Sequence, residues 1–374
     1  MKSAQQMVTT VEDLRAAGIT TPVVVGGAAL TKKFTYARIR PAYGSTVVYA
    51  KDAMSGLDIA NRLIDPDQRA GMERSIAAET TSLEQASRAT AAPSIAVGAA
   101  RSRKIAEVPP RRPPTLARRI IKADVTELWP YLNHQMLYGK HLGLRGSVER
   151  LAESGDAKYR ELDAVVRDVK SRAEQGWMKA RGVVQFFFAN SEGNDLILYD
   201  EADQELTRFT FPRQAEPDGL CISDYVGPAA AGRDSVAMFV VSCGLGIRPL
   251  ALQLKERGEY VLSHALQSLA LETTEAFAEK LHQQLRSEWG IADKPDITQR
   301  ELFQASYTGL RVSFGYPACP NLSDEDTLWM LLKPEDIGVR VTEGFTMDPE
   351  ASVSALVFHH PQARYFNVKE GADV

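Results

Sequence analysis

Cysteine is scarce in this chain: three residues in 374, Cys221, Cys243 and Cys319, an odd number with no CxxC spacing. That excludes a disulfide scaffold and a thiolate zinc site, and it fits a reducing, cytoplasmic setting. Long apolar runs are missing as well. A membrane helix needs roughly 18–20 apolar residues, whereas dense stretches such as Val236–Val241 have the length of a strand. The polar start, Met1-Lys2-Ser3-Ala4-Gln5-Gln6, shows no secretory signal. Neither sign of charge dominates: 44 Lys and Arg against 48 Asp and Glu leave a net charge of −4, which argues against nucleic acid as the main partner. What is present, 44% hydrophobic and 25% charged residues, is the composition of an ordinary globular protein. At roughly 100–200 residues per domain the length allows two domains.

Residues 1–70 alternate helix and strand signals. Met7, Val11 and Leu14 recur at helical spacing before Gly18, and Pro22-Val23-Val24-Val25-Gly26-Gly27 reads as a buried parallel strand ending in glycines. A short helix over 31–39, a strand at Thr46–Ala50 and a helix at Lys51–Ile64 follow. This αβαβα order predicts part of a Rossmann-like, doubly wound parallel sheet. Two parallel strands cannot bury both faces, so the expectation is half a domain, completed by strands from elsewhere. Gly26 and Gly27 serve either a tight turn or a close backbone approach to a ligand.

Residues 71–115 read as a charged helix, continuing to Arg88, and then a Pro/Arg-rich linker. Arg101, Arg103, Lys104, Arg111 and Arg112 stand against a single Glu107. Two readings stay open here: a soluble connector, or a docking strip for an acidic electron-transfer protein.

Residues 116–370 are long enough for one sizeable core. Helices are predicted at Leu128–Tyr138, Ala157–Gln175, Tyr260–Trp289 and Asp324–Leu332, the last with Ser323 as N-cap. Strands are predicted at Val183–Phe188, Leu196–Tyr199, Thr207–Phe211, Val236–Val241, Arg340–Glu343 and Val353–His359. Short connections imply antiparallel pairing, and grouped helices and strands imply an α+β class. In Arg311-Val312-Ser313-Phe314-Gly315-Tyr316-Pro317-Ala318-Cys319-Pro320, two prolines fix an extended backbone. The arginine offers a planar fork for a carboxylate and the tyrosine an aromatic face. The set suits a small zwitterion carrying an aromatic ring. Cys319 has no neighbouring base to activate it, and His359-His360 has no third ligand, so both are expected to be structural.

This motif resembles the hallmark of the reactivation domain of cobalamin-dependent methionine synthase. Ordered landmarks extend the resemblance over 116–370, among them Gly193-Asn194-Asp195, Cys221–Val226, Glu275–Glu279, Thr342-Glu343-Gly344-Phe345 and Tyr365-Phe366. Residues 22–28 and 49–53 resemble the C-terminal half of that family's cobalamin-binding domain, in which Gly26, Gly27 and Ala53 would line the pocket for the cobalamin tail. The resemblance implies that S-adenosyl-L-methionine binds with Arg311 on its carboxylate, backbone around Ser313, Gly315 and Tyr316 near the adenine, and Tyr365-Phe366 beside the ligand. Tyr365 would contact the sulfonium. Glu275 and Glu127 match family acids, while Ala305 stands where some members carry another. The family's cobalt-ligating Asp-x-His-x-x-Gly motif is absent. The resemblance therefore implies a reactivation module for reductive methylation of cob(II)alamin. Its cobalamin would come with a cobalamin-binding and methyltransferase portion on a separate chain, and its electron from a flavodoxin-like reductant. A free-standing S-adenosylmethionine-binding module and a truncated gene product are the alternatives.

Overall fold

The structure, a computed structural model, describes residues 2–26, 34–50, 53–65, 68–69, 71–76, 101–342 and 345–368. Gly27, residues 31–33, Lys51, residues 77–100 and Glu343-Gly344 therefore lie outside the described residues. The chain divides into two compact units, Met1–Ser94 and Ile95–Val374.

In the first unit, helix α1 (Lys2–Ala16) precedes strand β1 (Val23–Gly26), which pairs in parallel with β2 (Val47–Ala50). Between the strands, a π-helical turn at Thr35–Ile39 runs into the short α2 (Arg40–Tyr43), and Gly44 ends it at φ 72°, a conformation glycine adopts without strain. Helix α3 (Ala53–Ile64) follows β2. Strand alternation sends Val47 to a cluster with Val8, Val11, Ile39 and Tyr43, and Val48 to another with Tyr36, Met72 and Ile76. Helices thus cover both faces of β2, while β1 stays half exposed, Val24 included.

The second unit is built on an antiparallel sheet of seven strands. Strand β3 (Arg119–Ala123) is followed by β4 (Ala180–Glu192), β5 (Asp195–Tyr199), β6 (Glu205–Thr210) and β7 (Asp234–Ser242). Strands β8 (Leu310–Val312) and, after the two-residue pair β9 (Arg340–Val341) and β10 (Met347–Asp348), β11 (Ser352–Phe358) complete it. The order is β6-β5-β4-β7-β11-β8. β4 is long enough to hold two partners on one edge: β3 along Ala180–Val184 and β5 along Phe188–Glu192. All nine residues of β7 are buried, because helices cover one face and loops and a helix the other. Val184, Phe186, Phe239 and Val241 face the first core, and Val183, Phe187, Met238 and Val240 the second.

Helices α4 (Val148–Ser154) and α5 (Ala157–Arg172) start on Ser147 and Asp156, whose side chains accept amide hydrogens at the helix N-termini. Helix α6 (Ile247–Glu256) leads into the 29-residue α7 (Tyr260–Glu288), which packs on the first face through Leu266, Leu269, Phe277, Leu281 and Leu285. A short α8 (Gln299–Phe303) precedes β8, and α9 (Asp324–Leu332) covers the second face through Leu328, Trp329 and Leu332.

Several expectations need correction. The helix predicted over Leu128–Tyr138 is a 3-10 helix at Val125–Tyr131 and a separate π-helical segment at Gln135–His141; Pro130 lacks the amide a continuous helix requires. Ser323 makes no capping bond and instead donates to Asn321 Oδ1 at 2.8 Å. Residues 101–115 pack on the second unit and do not form a free tether. Arg103 pairs with Asp218, Lys104 with Glu216, and Arg101 and Arg111 donate to the carbonyls of Val226 and Trp289. Of these cations only Arg103 and Lys104 are paired with acids; Arg101 and Arg111 are held by neutral carbonyls and keep their charge.

Candidate functional site

Alternation along β8 decides where Arg311 points. Leu310 and Val312 enter the core on the α9 side, so the side chain between them emerges on the α7 side. There its Nη1 donates to Glu279 Oε2, and its Nη2 stands 4.0 Å from a carboxylate oxygen of Glu275, one helical turn earlier on α7. Glu279 is 7% exposed and Glu275 58%, so one acid lies inside the wall and the other at its rim. Burial works against the Arg311 charge, but the adjacent Glu279 outweighs it and raises the guanidinium pKa further. The arginine is a fixed cation.

Two tyrosines stand over this group. Tyr365 donates its hydroxyl to the Arg311 carbonyl at 2.7 Å, and its ring stacks on Tyr316 with centroids 6.1 Å apart. Both rings are about half exposed, and burial, with Glu279 and Glu275 near Tyr365 and Glu275 near Tyr316, raises both phenol pKa values. Tyr316 is held by a tight turn: Cys319 N donates to its carbonyl at 2.9 Å, and Gly315 N donates to the Cys319 carbonyl at 2.9 Å. Gly315 sits at φ +92°, which a side chain would strain. The Cys319 thiol donates to the Ser313 carbonyl at 2.9 Å, and burial pushes its pKa up to about 12, a structural thiol and not a nucleophile.

Beneath Arg311, α7 presents a polar stripe at four-, three- and four-residue spacing: Glu275, Glu279, His282 and Arg286. His282 is fully buried with no hydrogen-bond partner for either ring nitrogen among the described residues. Burial and the Arg286 and Arg311 cations hold its pKa well below the usual imidazole range, so it is neutral. Its ring meets Tyr307 edge-on at 5.2 Å, Arg286 lies 3.7 Å over the same tyrosine, and Asp293 closes the pair with Arg286 at 2.5 Å.

Thus the residues expected from the motif gather partially. Arg311, Glu275, Tyr316 and Tyr365 converge. Ser313 turns its hydroxyl away, donating to the Ser354 carbonyl at 2.6 Å. Phe366 packs on the second core, edge-on to Tyr225. Glu127 is paired with Lys280, one residue beyond Glu279. Gly26 belongs to the first unit, where a Cβ would fall 2.3 Å from the Ala50 carbonyl; the neighbouring strand accounts for its small size. Ala53 opens α3, and Gly27 lies outside the described residues. His359 bonds to Asp234 and His360 to the Ala106 carbonyl. Glu279 was missed by the motif, although its place four residues after Glu275 was a visible signal.

A guanidinium between two carboxylates, with two stacked phenols beside it, has the chemistry to hold a small charged ligand. The family model for the activation domain of vitamin B12-dependent methionine synthase matches residues 124–373, and this chain belongs to that family. It is 32% identical to the methionine synthase of Mycobacterium tuberculosis (strain ATCC 25618 / H37Rv) over 414 aligned residues, 98% of this chain and 34% of the relative. Identity to the methionine synthase of Mycobacterium leprae (strain TN) is 30% over 411, with the same coverage. The chain therefore spans about a third of the length of these relatives. A crystal structure of the MetH reactivation domain bound to AdoHcy superposes with a TM-score of 0.63 at 30% identity, covering 70% of this chain and 83% of that one. The mixed α+β architecture is that of this reactivation domain.

Proposed function

We propose that the second unit binds S-adenosylmethionine at Arg311 and that the chain works as the reactivation module of a cobalamin-dependent methionine synthase. One observation carries the reading: Arg311 is oriented by Glu279, faces Glu275 across 4.0 Å, and lies under the stacked Tyr316 and Tyr365. The solved relative was captured with AdoHcy, a ligand with the same amino-acid end. In this reading the free edge of the guanidinium takes the ligand carboxylate as charge-assisted hydrogen bonds. Glu275 takes the ammonium, and the tyrosine rings stand beside the sulfonium. The bound ligand supplies a methyl group; the chain's own residues orient it and need no general base.

The first unit is read as part of a cobalamin-binding domain. Residues 1–94 contain no histidine, so it has no imidazole of its own for cobalt, and Gly26 is explained by β2. Its described residues do not fit cobalamin unaided, and the corrinoid is assigned to a partner portion of methionine synthase. A flavodoxin-like reductant belongs to the same reading; in the basic connector Arg103 and Lys104 are already paired with acids, while Arg101 and Arg111 keep their charge on neutral carbonyls.

Calorimetry with S-adenosylmethionine tests the site. Wild type binds, and Arg311→Ala weakens binding by about 1.5–3 kcal/mol, the cost of a lost charge-assisted bond. Equal binding by the two proteins overturns the reading. Cobalamin alone stays unbound.

A further inference from the structure

We infer that Glu279, together with Glu275, makes the Arg311 site selective for a ligand with one net positive charge. A sulfonium zwitterion is then held more tightly than the neutral thioether it becomes. That conversion breaks the methyl C–S bond, leaves its electron pair on sulfur and passes the methyl to the acceptor. The inference rests on the reading of Arg311 as the carboxylate anchor.

The argument is a count of charges on every element facing the guanidinium. From β8 comes one cation, Arg311. From α7 come Glu279, in direct contact with Nη1, and Glu275, 4.0 Å from Nη2. Deeper on α7, Arg286 is cancelled by Asp293, and His282 is neutral between burial and two cations. Tyr307, Tyr316 and Tyr365 are neutral phenols whose pKa values are raised by burial. On the flank, Lys280 is cancelled by Glu127. Glu272, a turn before Glu275 on α7, is hydrogen-bonded to His141 and its pKa is raised by burial and by Glu275, so the groups at the guanidinium itself sum to one negative charge. The amino-acid end of the ligand, carboxylate and ammonium, adds nothing to it, so the surplus is met only by a third charged group. In a methionyl chain the sulfur lies two methylenes from the α-carbon. A carboxylate on Arg311 therefore keeps a sulfonium well within a Debye length, about 8–10 Å, of both acids.

Glu279 is also a positioning residue. It occupies Nη1 from inside the wall, leaving Nη2 directed to the rim. Its second oxygen, Oε1, is buried without a partner among the described residues, so the carboxylate charge is not dispersed over other donors. A buried acid is screened less by salt than one at the rim, which separates the two glutamates experimentally.

The test is calorimetry on the full chain with S-adenosylmethionine, S-adenosylhomocysteine and sinefungin, whose ammonium replaces the sulfonium and carries no transferable methyl. Wild type should bind both cationic ligands at least about fivefold more tightly than the thioether, the size of one charge at partial screening. Glu279→Gln should narrow that ratio about threefold or more, mainly by weakening the two cationic ligands. Glu275→Gln should narrow it only at low salt, its effect vanishing near about 0.5 M salt. Wild-type affinities within twofold of each other, or a ratio unchanged in Glu279→Gln, overturn the inference. If Glu279→Gln does not fold, the wild-type ratios and the salt dependence of Glu275→Gln decide. Failure of all three ligands to bind wild type overturns the anchor reading and the selectivity with it.

Discussion

Glu325 accepts a 2.7 Å hydrogen bond from the hydroxyl of Ser354, whose carbonyl in turn accepts from Ser313 in the ligand motif. The carboxyl sits in the first turn of α9, 4% exposed, and its other oxygen has no partner among the described residues. Burial raises its pKa to about 7, against the bond from Ser354. In the unfolded chain a glutamate titrates near about 4.3. The folded state therefore binds the proton more tightly, and this contribution to stability is complete below the unfolded pKa and is lost as pH rises from about 4.3 to 7. Glu325→Gln should flatten that decline and be about 2–3 kcal/mol more stable than wild type at pH 8, with little difference at pH 4.5. Urea unfolding of both proteins across this range checks it; parallel curves reject it.

The long helix and the central strands were legible because their signals are local. The apolar side of α7 recurs through Leu262, Leu266, Leu269, Phe277, Leu281 and Leu285, and Val236–Val241 is apolar throughout because β7 is buried on both faces. What escaped depends on partners far along the chain. Arg103 and Arg111 sit in a proline-rich stretch that reads as a tether, while Asp218, Asp234 and Trp289 lie more than a hundred residues on. β3 was hidden for the same reason: Arg119-Ile120-Ile121-Lys122-Ala123 is too short and basic to stand out until β4 supplies its ladder. In the site, the motif gave the arginine and the tyrosine. Its partner Glu279 looked like one more helix acid, since burial of a charge is a tertiary fact.

Tyr365 has two separable roles, a hydroxyl on the Arg311 carbonyl and a ring stacked on Tyr316. Tyr365→Phe keeps the ring and should weaken S-adenosylmethionine binding by less than about 1 kcal/mol, the net value of one hydrogen bond. Tyr365→Ala removes the aromatic face and should cost about 1–2 kcal/mol toward the sulfonium ligand, with a smaller loss toward S-adenosylhomocysteine, which carries no cation at sulfur. Equal losses for the two ligands would place the effect in packing alone. Calorimetry with both ligands on both variants separates the outcomes.

Asp234 opens β7 and ties three segments together. Its Oδ1 accepts from the amides of Arg111 and Ser235, both at 2.9 Å, and from His359 Nε2 at 2.7 Å, while Oδ2 accepts from the Gly227 amide at 2.8 Å. Burial works against its charge, but His359 and the backbone donors outweigh it and hold the pKa below the usual aspartate range. The contribution is thus present above the unfolded pKa, about 3.9, and is lost as pH falls below it. Asp234→Ala strands these buried donors and should lower the unfolding free energy by about 3–5 kcal/mol at neutral pH. It should also shallow the loss of stability on acidification. Acid and urea titrations followed by circular dichroism measure both; a variant within about 1 kcal/mol of wild type would mean that water takes over the bonds.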